Sequence, residues 1–308
     1  MKKAIVIGSA NIDILINVDK LPVKGSTILA DKMSYTSGGK GANQAIAIGK
    51  MAGKCEFLAC LGNDYFADKI LESLKESKVN TSNIKYATDC PSGLAMVCLD
   101  SNGDNLIIVN SNANKLLDIA YLNEKTDLIE DCQIIVLQNE IDEEIIKYIL
   151  LTYGDKKEIV FNAAPCPNYL NDLYLSKITY LLVNENEAKE LASLDSDDYY
   201  QNASILLRRG VKNLIITLGS KGSMFFSNHK SFLIRPYQVE AIDTVGAGDT
   251  FIGAFVVGLL NESNHFQALD FASCAAALTC LKSGASKAIP TLSEVEIFKE
   301  KYNEKNNN

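Results

Sequence analysis

Two aspartates and two glycines stand together in residues 243–249, directly before the apolar run of residues 251–260. The pattern predicts a strand end, a tight turn and the first turn of a buried helix. A helix start exposes N–H groups without intrahelical partners, and the helix dipole adds positive potential, so an anion is a natural ligand. Asp249 would repel that anion unless it has a task, such as taking a proton from a substrate hydroxyl. The alternative is that the glycines only form the turn and Asp249 only caps the helix.

A second glycine-rich segment, residues 38–45, precedes an apolar helical pattern that extends to Met51. Gly38 and Gly39 would let a ligand approach the backbone closely. Lys40 is not a P-loop lysine, because the G-x-x-x-x-G-K-[ST] spacing is absent. Asn43 lies one helical turn after Gly39, where it is either a pocket residue or an ordinary polar residue of an early helical turn.

Asn11 and Asp13 follow the apolar run of residues 4–8, which we interpret as the first buried strand. Side chains two residues apart in an extended segment emerge on one side of it. The pair therefore lines a pocket at the carboxyl end of a strand, the usual ligand edge of an open α/β sheet, or it marks a turn.

The elements that must position these residues are predicted from hydrophobic periodicity. From about residue 133, strands and helices alternate regularly, which indicates an α/β fold with a doubly wound, mainly parallel sheet flanked by helices. Several predicted strands end in polar groups, and such ends gather along one edge of a parallel sheet. These polar groups are Asn139, Glu140, Asn162, Asn184 and Thr217.

Three segments break the alternation, namely residues 12–18, 27–37 and 94–111, the last with a hairpin signal at residues 101–104. They predict a small β-sheet attached to a single domain that spans residues 1–308. This small sheet would be a lid over the pocket or a dimerisation surface, because an open sheet face usually needs cover. Residues 55–62 predict one further buried strand.

Composition limits the classes of function. The chain has 308 residues, of which 47% are hydrophobic, and a formal net charge of −8, which disfavours nucleic acid or an anionic membrane as a partner. No run approaches the ~18 apolar residues of a membrane span, and residues 4–8 are too short for a signal peptide. Eight cysteines without a C-x-x-C pair indicate reduced thiols in a cytoplasmic protein. His229 and His265, both in polar segments, disfavour a histidine-based triad or metal site.

Residues 38–45 and 243–251 together resemble the two signatures of the PfkB-type sugar kinases. The two segments have the order and spacing of those signatures, and the resemblance extends over nearly the whole chain, from residue 8 to residue 285. It implies a role for each matching position. Asp249 matches the catalytic base, which takes the proton from the primary hydroxyl of the sugar. The anion hole, whose N–H groups stabilise the transferring phosphoryl group, is matched by Gly246, Ala247 and Gly248.

The resemblance assigns two further sets of positions. The sugar-binding positions are matched by Asn11, Asp13, Gly39, Lys40, Asn43, Glu140 and Asp249. The nucleotide-binding positions are matched by Asn184, Thr217, Gly219 and Gly248.

Two metal ions are also implied by the resemblance. Glu187 forms an Asn-x-x-Glu motif with Asn184 and matches a carboxylate that acts on Mg²⁺ through bound water near the phosphates. The loops that hold an activating K⁺ in the family are matched by Asp243, Val245, Thr279 and Gly284. Ala288 departs from the family, which has a side-chain oxygen ligand there, so we expect water to complete the coordination of K⁺.

The activity that the resemblance implies is transfer of a phosphoryl group from ATP to the 5-hydroxyl of D-ribose, giving D-ribose 5-phosphate, in a homodimer that shares the small sheet. The same fold would also serve another acceptor, such as deoxyribose, fructose or a nucleoside like adenosine. A non-catalytic sugar sensor is the alternative from another class, and Asp249 argues against it because binding needs no base. A dehydrogenase is disfavoured, because residues 8–11 lack the G-x-G-x-x-G spacing.

Overall fold

The computed structural model of the protein describes residues 2–102 and 104–306. The predicted hairpin turn at residues 101–104 includes Gly103, which lies outside the described residues. The described chain contains a large sheet, a small sheet and a two-stranded sheet, with helices on both faces of the large one.

Eight strands form the large sheet, in the spatial order β14-β13-β12-β11-β10-β9-β1-β4. They are β1 (Ala4–Ile7), β4 (Cys55–Leu58), β9 (Ile134–Gln138), β10 (Glu158–Asn162), β11 (Tyr180–Asn184), β12 (Asn213–Thr217), β13 (Ser223–Ser227) and β14 (Ser231–Ile234). Neighbours from β4 to β12 pair in parallel, and β12, β13 and β14 pair antiparallel. The predicted mainly parallel, doubly wound sheet is therefore confirmed, and the carboxyl ends of its parallel strands share one edge.

The small sheet has four strands in the order β3-β2-β7-β8. They are β2 (Asn11–Asn17), β3 (Lys32–Gly38), β7 (Gly93–Leu99) and β8 (Asn105–Asn110). Strand β8 exposes four apolar residues in succession, Leu106, Ile107, Ile108 and Val109. Two shorter strands, β5 (Cys60–Gly62) and β6 (Lys85–Ala87), pair with each other.

Twelve α-helices complete the described part of the chain. They are α1 (Lys40–Lys50), α2 (Tyr65–Glu76), α3 (Ile119–Glu124), α4 (Thr126–Asp131), α5 (Glu143–Tyr153), α6 (Asp172–Leu175), α7 (Glu185–Ala192), α8 (Tyr199–Arg208), α9 (Ala247–Leu260), α10 (His265–Thr279), α11 (Ala285–Ala288) and α12 (Leu292–Asn306). Helix α9 is buried over almost its whole length, because it packs between α1 and α10. Its apolar residues therefore need no polar face, unlike those of a surface helix. None of the helices within the described ranges is long and apolar enough to cross a membrane.

Three predicted features differ in the structure. Residues 27–31 are not in a strand, and β3 begins at Lys32, because the exposed segment before it has no strand partner. Residues 55–62 form two strands rather than one: β4 joins the large sheet, and β5 pairs with β6. His265, predicted in a polar segment, is half-buried against aromatic rings, since its ring stacks on Phe225 with centroids 4.9 Å apart and its Nε2 lies 3.1 Å from the Tyr180 hydroxyl.

Candidate active site

Two helices that each begin after a glycine with a positive φ meet at the carboxyl edge of the large sheet. Gly39 precedes α1 with φ 84°, and Gly246 precedes α9 with φ 80°. Glycine favours these left-handed conformations because it has no Cβ. In neither helix does the N-cap residue itself supply a side-chain cap. The first N–H groups of both helices must therefore find partners elsewhere.

The start of α1 is occupied by other parts of the protein. The N–H of Lys40 donates to Glu140 Oε2 at 3.0 Å. The N–H of Gly41 donates to Ser9 Oγ at 3.3 Å, and the N–H of Ala42 donates to the Ser9 carbonyl at 2.8 Å. Ser9 Oγ in turn donates to Glu140 Oε2 at 2.6 Å. A carboxylate of the protein thus already takes the place that a bound anion would have at this helix.

The start of α9 is open by comparison. The N–H of Ala247 donates to the Thr244 carbonyl at 3.2 Å. No group in residues 2–102 or 104–306 accepts a hydrogen bond from the N–H of Gly246, Gly248 or Asp249. All three residues line a cavity of ≈ 180 Å³. The positive end of a 14-residue helix therefore borders a space that can receive an anion.

Asp249 is a buried carboxylate held by two amides of α1. Its Oδ2 accepts from Asn43 Nδ2 at 3.0 Å, and its Oδ1 accepts from Gln44 Nε2 at 3.0 Å. Burial raises the pKa of Asp249, and the charge of Lys40 and the two amide hydrogen bonds lower it in part. A carboxylate fixed in this way has the reach and the basicity to take a proton from a hydroxyl placed in the cavity.

Polar groups cluster beside Asp249 where β2, α1 and the end of β9 come together. Asn11 Oδ1 accepts from Asn114 Nδ2 at 2.7 Å. The buried Asn43 Oδ1 has no hydrogen-bond donor within the described part of the chain. Asp13 and Glu140 lie near the ammonium of Lys40. Burial lowers the pKa of Lys40, but the charges of Asp249, Glu140, Glu187 and Asp13 together raise it by more, so the pKa lies above its ordinary value.

Asp13 is the carboxylate most affected by this crowding. Burial raises its pKa to about 7, with further contributions from the charges of Glu140 and Asp249, while Lys40 acts in the opposite direction. Among the described residues, no donor forms a hydrogen bond with its carboxylate. Both of its oxygens are therefore available to ligand hydroxyls.

The cavity beside Asp249 adjoins a second cavity of ≈ 290 Å³, and Thr217 and Gly248 line both. The lining of the second cavity is mostly apolar, with Tyr237, Val239 and Phe251 among its residues, and Gly219 borders it as well. Two connected cavities, one bordered by free N–H groups and one apolar, fit the phosphates and the base of a nucleotide.

Asn184 and Glu187 form a capping box at the start of α7. Asn184 Oδ1 accepts from the Glu187 N–H and Glu187 Oε2 accepts from the Asn184 N–H, both at 2.8 Å. Burial raises the pKa of Glu187, against the hydrogen bond from Asn184 and the charge of Lys40. Since Glu187 also lines the first cavity, the motif both starts the helix and places a carboxylate there.

Asp243 joins the loops before α9 and α11. Its Oδ1 accepts from the Val245 N–H at 2.9 Å, and its Oδ2 accepts from the Gly284 N–H at 3.0 Å. The hydroxyl of Thr279 has Thr250 Oγ1 at 3.0 Å and the Ala275 carbonyl at 3.1 Å as acceptors, and the carbonyl of Thr279 accepts from the Lys282 N–H at 3.2 Å. Ala288 is buried and offers no side-chain oxygen. In the described ranges, no group of three or more His, Cys, Asp or Glu residues could hold a metal ion.

The far end of α1 is tied to the same loops. Lys50 Nζ donates to the Ser286 carbonyl at 3.2 Å and to the Ile289 carbonyl at 2.9 Å. Burial lowers the pKa of this ammonium. Helix α1 therefore contacts Asp249 through its first turn and α11 through its last residue.

The structure brings together positions that the sequence placed on the two motifs and on strand ends, except Asn139, whose side chain bonds the Pro165 carbonyl and the Tyr169 hydroxyl instead. Sequence reasoning missed four residues of the cluster, namely Ser9, Gln44, Asn114 and Gln138. Gln44 lies inside the second motif, so its position was available as a signal. Asn114 has no comparable signal, because its partners Ala10 and Asn11 lie more than 100 residues away in the chain.

Comparison with known proteins agrees with this geometry. The model of the pfkB family of carbohydrate kinases matches residues 1–292. The ribokinase of Schizosaccharomyces pombe is 35% identical over 312 residues, covering 96% of this chain and 97% of that protein. The deoxyribokinase of Salmonella typhi is 31% identical over 294 residues, covering 94% of this chain and 96% of that protein. The structure of Arabidopsis thaliana ribokinase complexed with ribose and ATP has a TM-score of 0.91 at 29% identity, covering 96% of this chain and 98% of that one. On this evidence the chain belongs to the pfkB family of carbohydrate kinases and is a phosphotransferase.

Proposed function

We propose that this phosphotransferase is an ATP-dependent ribokinase, which phosphorylates the 5-hydroxyl of D-ribose and releases D-ribose 5-phosphate and ADP. The observation that carries the proposal is the position of the Asp249 carboxylate. It lies between the polar cluster of Asn11, Asp13 and Asn43 and the cavity bordered by free N–H groups of α9. The ribokinase relatives supply the acceptor.

Asp249 is the proposed catalytic base. It takes the proton of the 5-hydroxyl while that oxygen attacks the γ-phosphorus of ATP, and the bond from this phosphorus to the bridging oxygen of ADP breaks. The anion hole comprises Gly246, Ala247 and Gly248 and stabilises the transferring group. Because the N–H of Ala247 donates to Thr244, its two neighbours supply the free donors.

The sugar is bound by the polar cluster. Asn11, Gly39, Lys40, Asn43 and Glu140 border or support it, and a sugar needs several convergent hydrogen-bonding groups of this kind. The unpaired carboxylate of Asp13 favours ribose, because its two oxygens can accept from two neighbouring hydroxyls. A 2-deoxy sugar lacks one of those hydroxyls and would leave an oxygen of this buried carboxylate unpaired.

ATP occupies the two connected cavities in this proposal. Its base lies in the apolar cavity near Gly219, and its phosphates lie between Asn184, Thr217 and Gly248. Mg²⁺ would be held through water by Glu187, and it supplies neutralisation of the phosphate charge. The fit is adequate, since Mg²⁺ accepts a single nearby carboxylate when phosphate and water provide the other oxygens.

Activation by K⁺ is also part of the proposal. The carboxylate of Asp243 and the carbonyls of Val245, Thr279 and Gly284 would hold the ion, and water would take the place left by Ala288. One carboxylate with several carbonyls is a donor set of hard oxygens, as a monovalent cation requires. The ion would stiffen the loop that leads into α9.

The small sheet is the proposed lid and dimer contact. Closure of a lid over the sugar would exclude water, which otherwise competes with the sugar for the phosphoryl group. The exposed Ile107, Ile108 and Val109 support burial of the sheet against a second copy of the chain. The proposed setting is the cytoplasm, with no nucleic-acid or membrane partner.

A panel of acceptors tests the proposal. ADP release is measured with D-ribose, 2-deoxyribose, fructose and adenosine, each in KCl and in NaCl at equal ionic strength. We expect the highest kcat/KM with ribose in KCl. The 31% identical deoxyribokinase makes 2-deoxyribose the second candidate, and a higher kcat/KM with that sugar would assign the deoxyribokinase activity instead. Equal rates with all four acceptors would refute the proposed specificity.

A further inference from the structure

A chain of buried amides leads from the large sheet to Asp249. Gln138, the last residue of β9, donates through Nε2 to Gln44 Oε1 at 2.8 Å, and Gln44 Nε2 donates to Asp249 Oδ1 at 3.0 Å. Both glutamines are completely buried. Because Oε1 of Gln44 is the acceptor for Gln138, its amide group can only present the NH₂ side to Asp249. We call Gln138, Gln44 and Asp249 the amide relay.

Gln44 differs from Asn43, the other amide on Asp249. The Oδ1 of Asn43 has no partner among the described residues and is available to a sugar hydroxyl. The carboxamide of Gln44 is used entirely inside the protein, since its second acceptor is Asn162 Oδ1 at 3.4 Å. In the proposed function, Asn43 can therefore bind both the sugar and Asp249, whereas Gln44 acts on Asp249 alone.

Gln138 supports the same conclusion. Its Oε1 is buried and has no donor within the described ranges, which is a cost to stability. An apolar side chain at position 138 would avoid this loss of stability, yet the chain has glutamine there. Gly8 leaves the space for this oxygen, because a Cβ at Gly8 would lie 1.9 Å from it. What Gln138 provides in return is the fixed orientation of Gln44.

We propose that Gln44, oriented by Gln138, is a positioning residue that holds the Asp249 carboxylate ionised and directed at the acceptor hydroxyl. The inference rests on the proposed role of Asp249 as the base. It goes beyond that role by assigning the control of the base to two residues that touch neither sugar nor nucleotide.

The charged groups around Asp249 set the sign of the expected effect. Lys40 on α1 favours its ionised form, while Glu140 and Asp13 oppose it. Hydrogen bonds to the ionised form, from Asn43 and Gln44, lower its pKa. Removal of the Gln44 bond therefore raises the pKa, so the acid limb of the kcat profile moves to higher pH.

Three substitutions in the full-length protein test the relay. Gln44→Met removes the bond to Asp249, and Gln138→Met removes only the constraint on Gln44. Asn202→Leu is the matched control, because Asn202 is another buried amide with an unpaired Oδ1 and lies in α8 with a bond to the Ser196 carbonyl. The measurements are kcat against pH at saturating acceptor and ATP, and acceptor affinity by calorimetry. The acceptor is whichever sugar the wild-type protein phosphorylates best.

For Gln44→Met we expect kcat to fall about tenfold at neutral pH and the acid limb to move up by about one pH unit, the scale of a lost hydrogen bond to a charged group. The acceptor Kd should stay within about threefold of wild type. Gln138→Met should shift the limb in the same direction by less, and Asn202→Leu should not shift it.

A kcat profile of Gln44→Met that superimposes on that of Asn202→Leu would overturn the inference, as would a loss of acceptor affinity equal to the loss of turnover. If Gln44→Met does not fold, the profile of Gln138→Met decides by the same criterion. Failure of the proposed function itself is distinguishable, because it would appear as undiminished turnover in Asp249→Asn.

Discussion

Helices α1 and α9 both begin after a glycine with a positive φ but differ in what their first N–H groups bind. Gly39 and Gly246 have similar φ values, 84° and 80°, but different ψ values, 135° and −5°, and as glycines neither has a side chain to cap its own helix. At α1, Glu140 and Ser9 satisfy the first three donors. At α9, the donors of Gly248 and Asp249 stay open.

The difference shows that a glycine-rich helix start does not define an anion site by itself. Glu140 and Ser9 lie outside both glycine motifs, yet because of them the start of α1 binds a protein carboxylate, and in the proposed function only the side chains of α1 bind the sugar. At α9 no such group intervenes, and the helix dipole remains available to phosphate. Specific variants can test whether the α1 side binds the sugar and the start of α9 binds phosphate.

The largest expected effect is that of Asp249→Asn. Asparagine keeps the shape of the side chain but cannot take a proton, so kcat should fall by ~10² or more. Sugar affinity, which the proposal assigns to the α1 side, should remain nearly intact in calorimetry. Turnover equal to wild type would remove Asp249 from the role of base.

A matched pair of glycine substitutions compares the two starts directly. A Cβ at Gly41 would lie 2.6 Å from backbone atoms of Ser9, whereas a Cβ at Gly248 has nothing within 4 Å. Gly41→Ala should lower the free energy of unfolding by about 1–3 kcal/mol, the usual cost of overpacking. Gly248→Ala should leave stability unchanged or slightly higher and should raise the KM for ATP, because the new methyl group occupies phosphate space. Urea denaturation and ATP titrations measure both, and equal stability of the two variants would contradict the comparison.

The smallest expected effect concerns pH and the carboxylates near α1. The pKa of Asp13 is raised to about 7 by burial and by the charges of Glu140 and Asp249, so sugar affinity should increase as the pH rises through that value. Glu140→Gln removes one of those charges and should move the midpoint to lower pH by less than about one unit. Calorimetric Kd values between pH 5 and 9 measure it, and Asp13→Asn is the control in which the dependence disappears.

The same pKa gives a stability effect of opposite sign in the sugar-free protein. Between pH 3.8, the ordinary pKa of an aspartate, and about 7, the folded state keeps a proton on Asp13 that the unfolded state releases. The contribution of Asp13 to the free energy of unfolding therefore decreases as the pH rises through this range. Denaturation of Asp13→Asn across the same range should lack that decrease, and an identical slope would place the raised pKa elsewhere.

Most of the large sheet could be predicted from the sequence. The strands β9 and β11 and the helix α5 belong to the alternation predicted from about residue 133, because each is a clear apolar or amphipathic segment with polar ends. The break between β4 and β5 could not be predicted, since both are buried and read as one apolar run. Only the pairing of β5 with β6 separates them.

The candidate site was predictable where residues belong to a motif. Asp249, Asn43 and Lys40 lie in the two glycine-rich segments. The alternatives for Asn11 and Asp13, a turn or a pocket, could be distinguished only in three dimensions, where both lie on β2. Ser9 was beyond reach for the same reason, since its contact with Glu140 spans 131 positions.

The two ends of α1 are both hydrogen-bonded to elements of the site. Its first turn is bonded to Asp249 on α9, and Lys50 at its last position is bonded to the carbonyls of Ser286 and Ile289 around α11. Gly284, at the start of α11, is bonded to Asp243, four residues before Ala247 and the start of α9. Because α1, α11 and the start of α9 are linked in this closed set of hydrogen bonds, a tilt of one of them would stretch its bonds to the other two. These bonds fix the orientation of Asp249, the proposed base. Loss of the Lys50 hydrogen bonds at the outer end of α1 should therefore change the orientation of the Asp249 carboxylate.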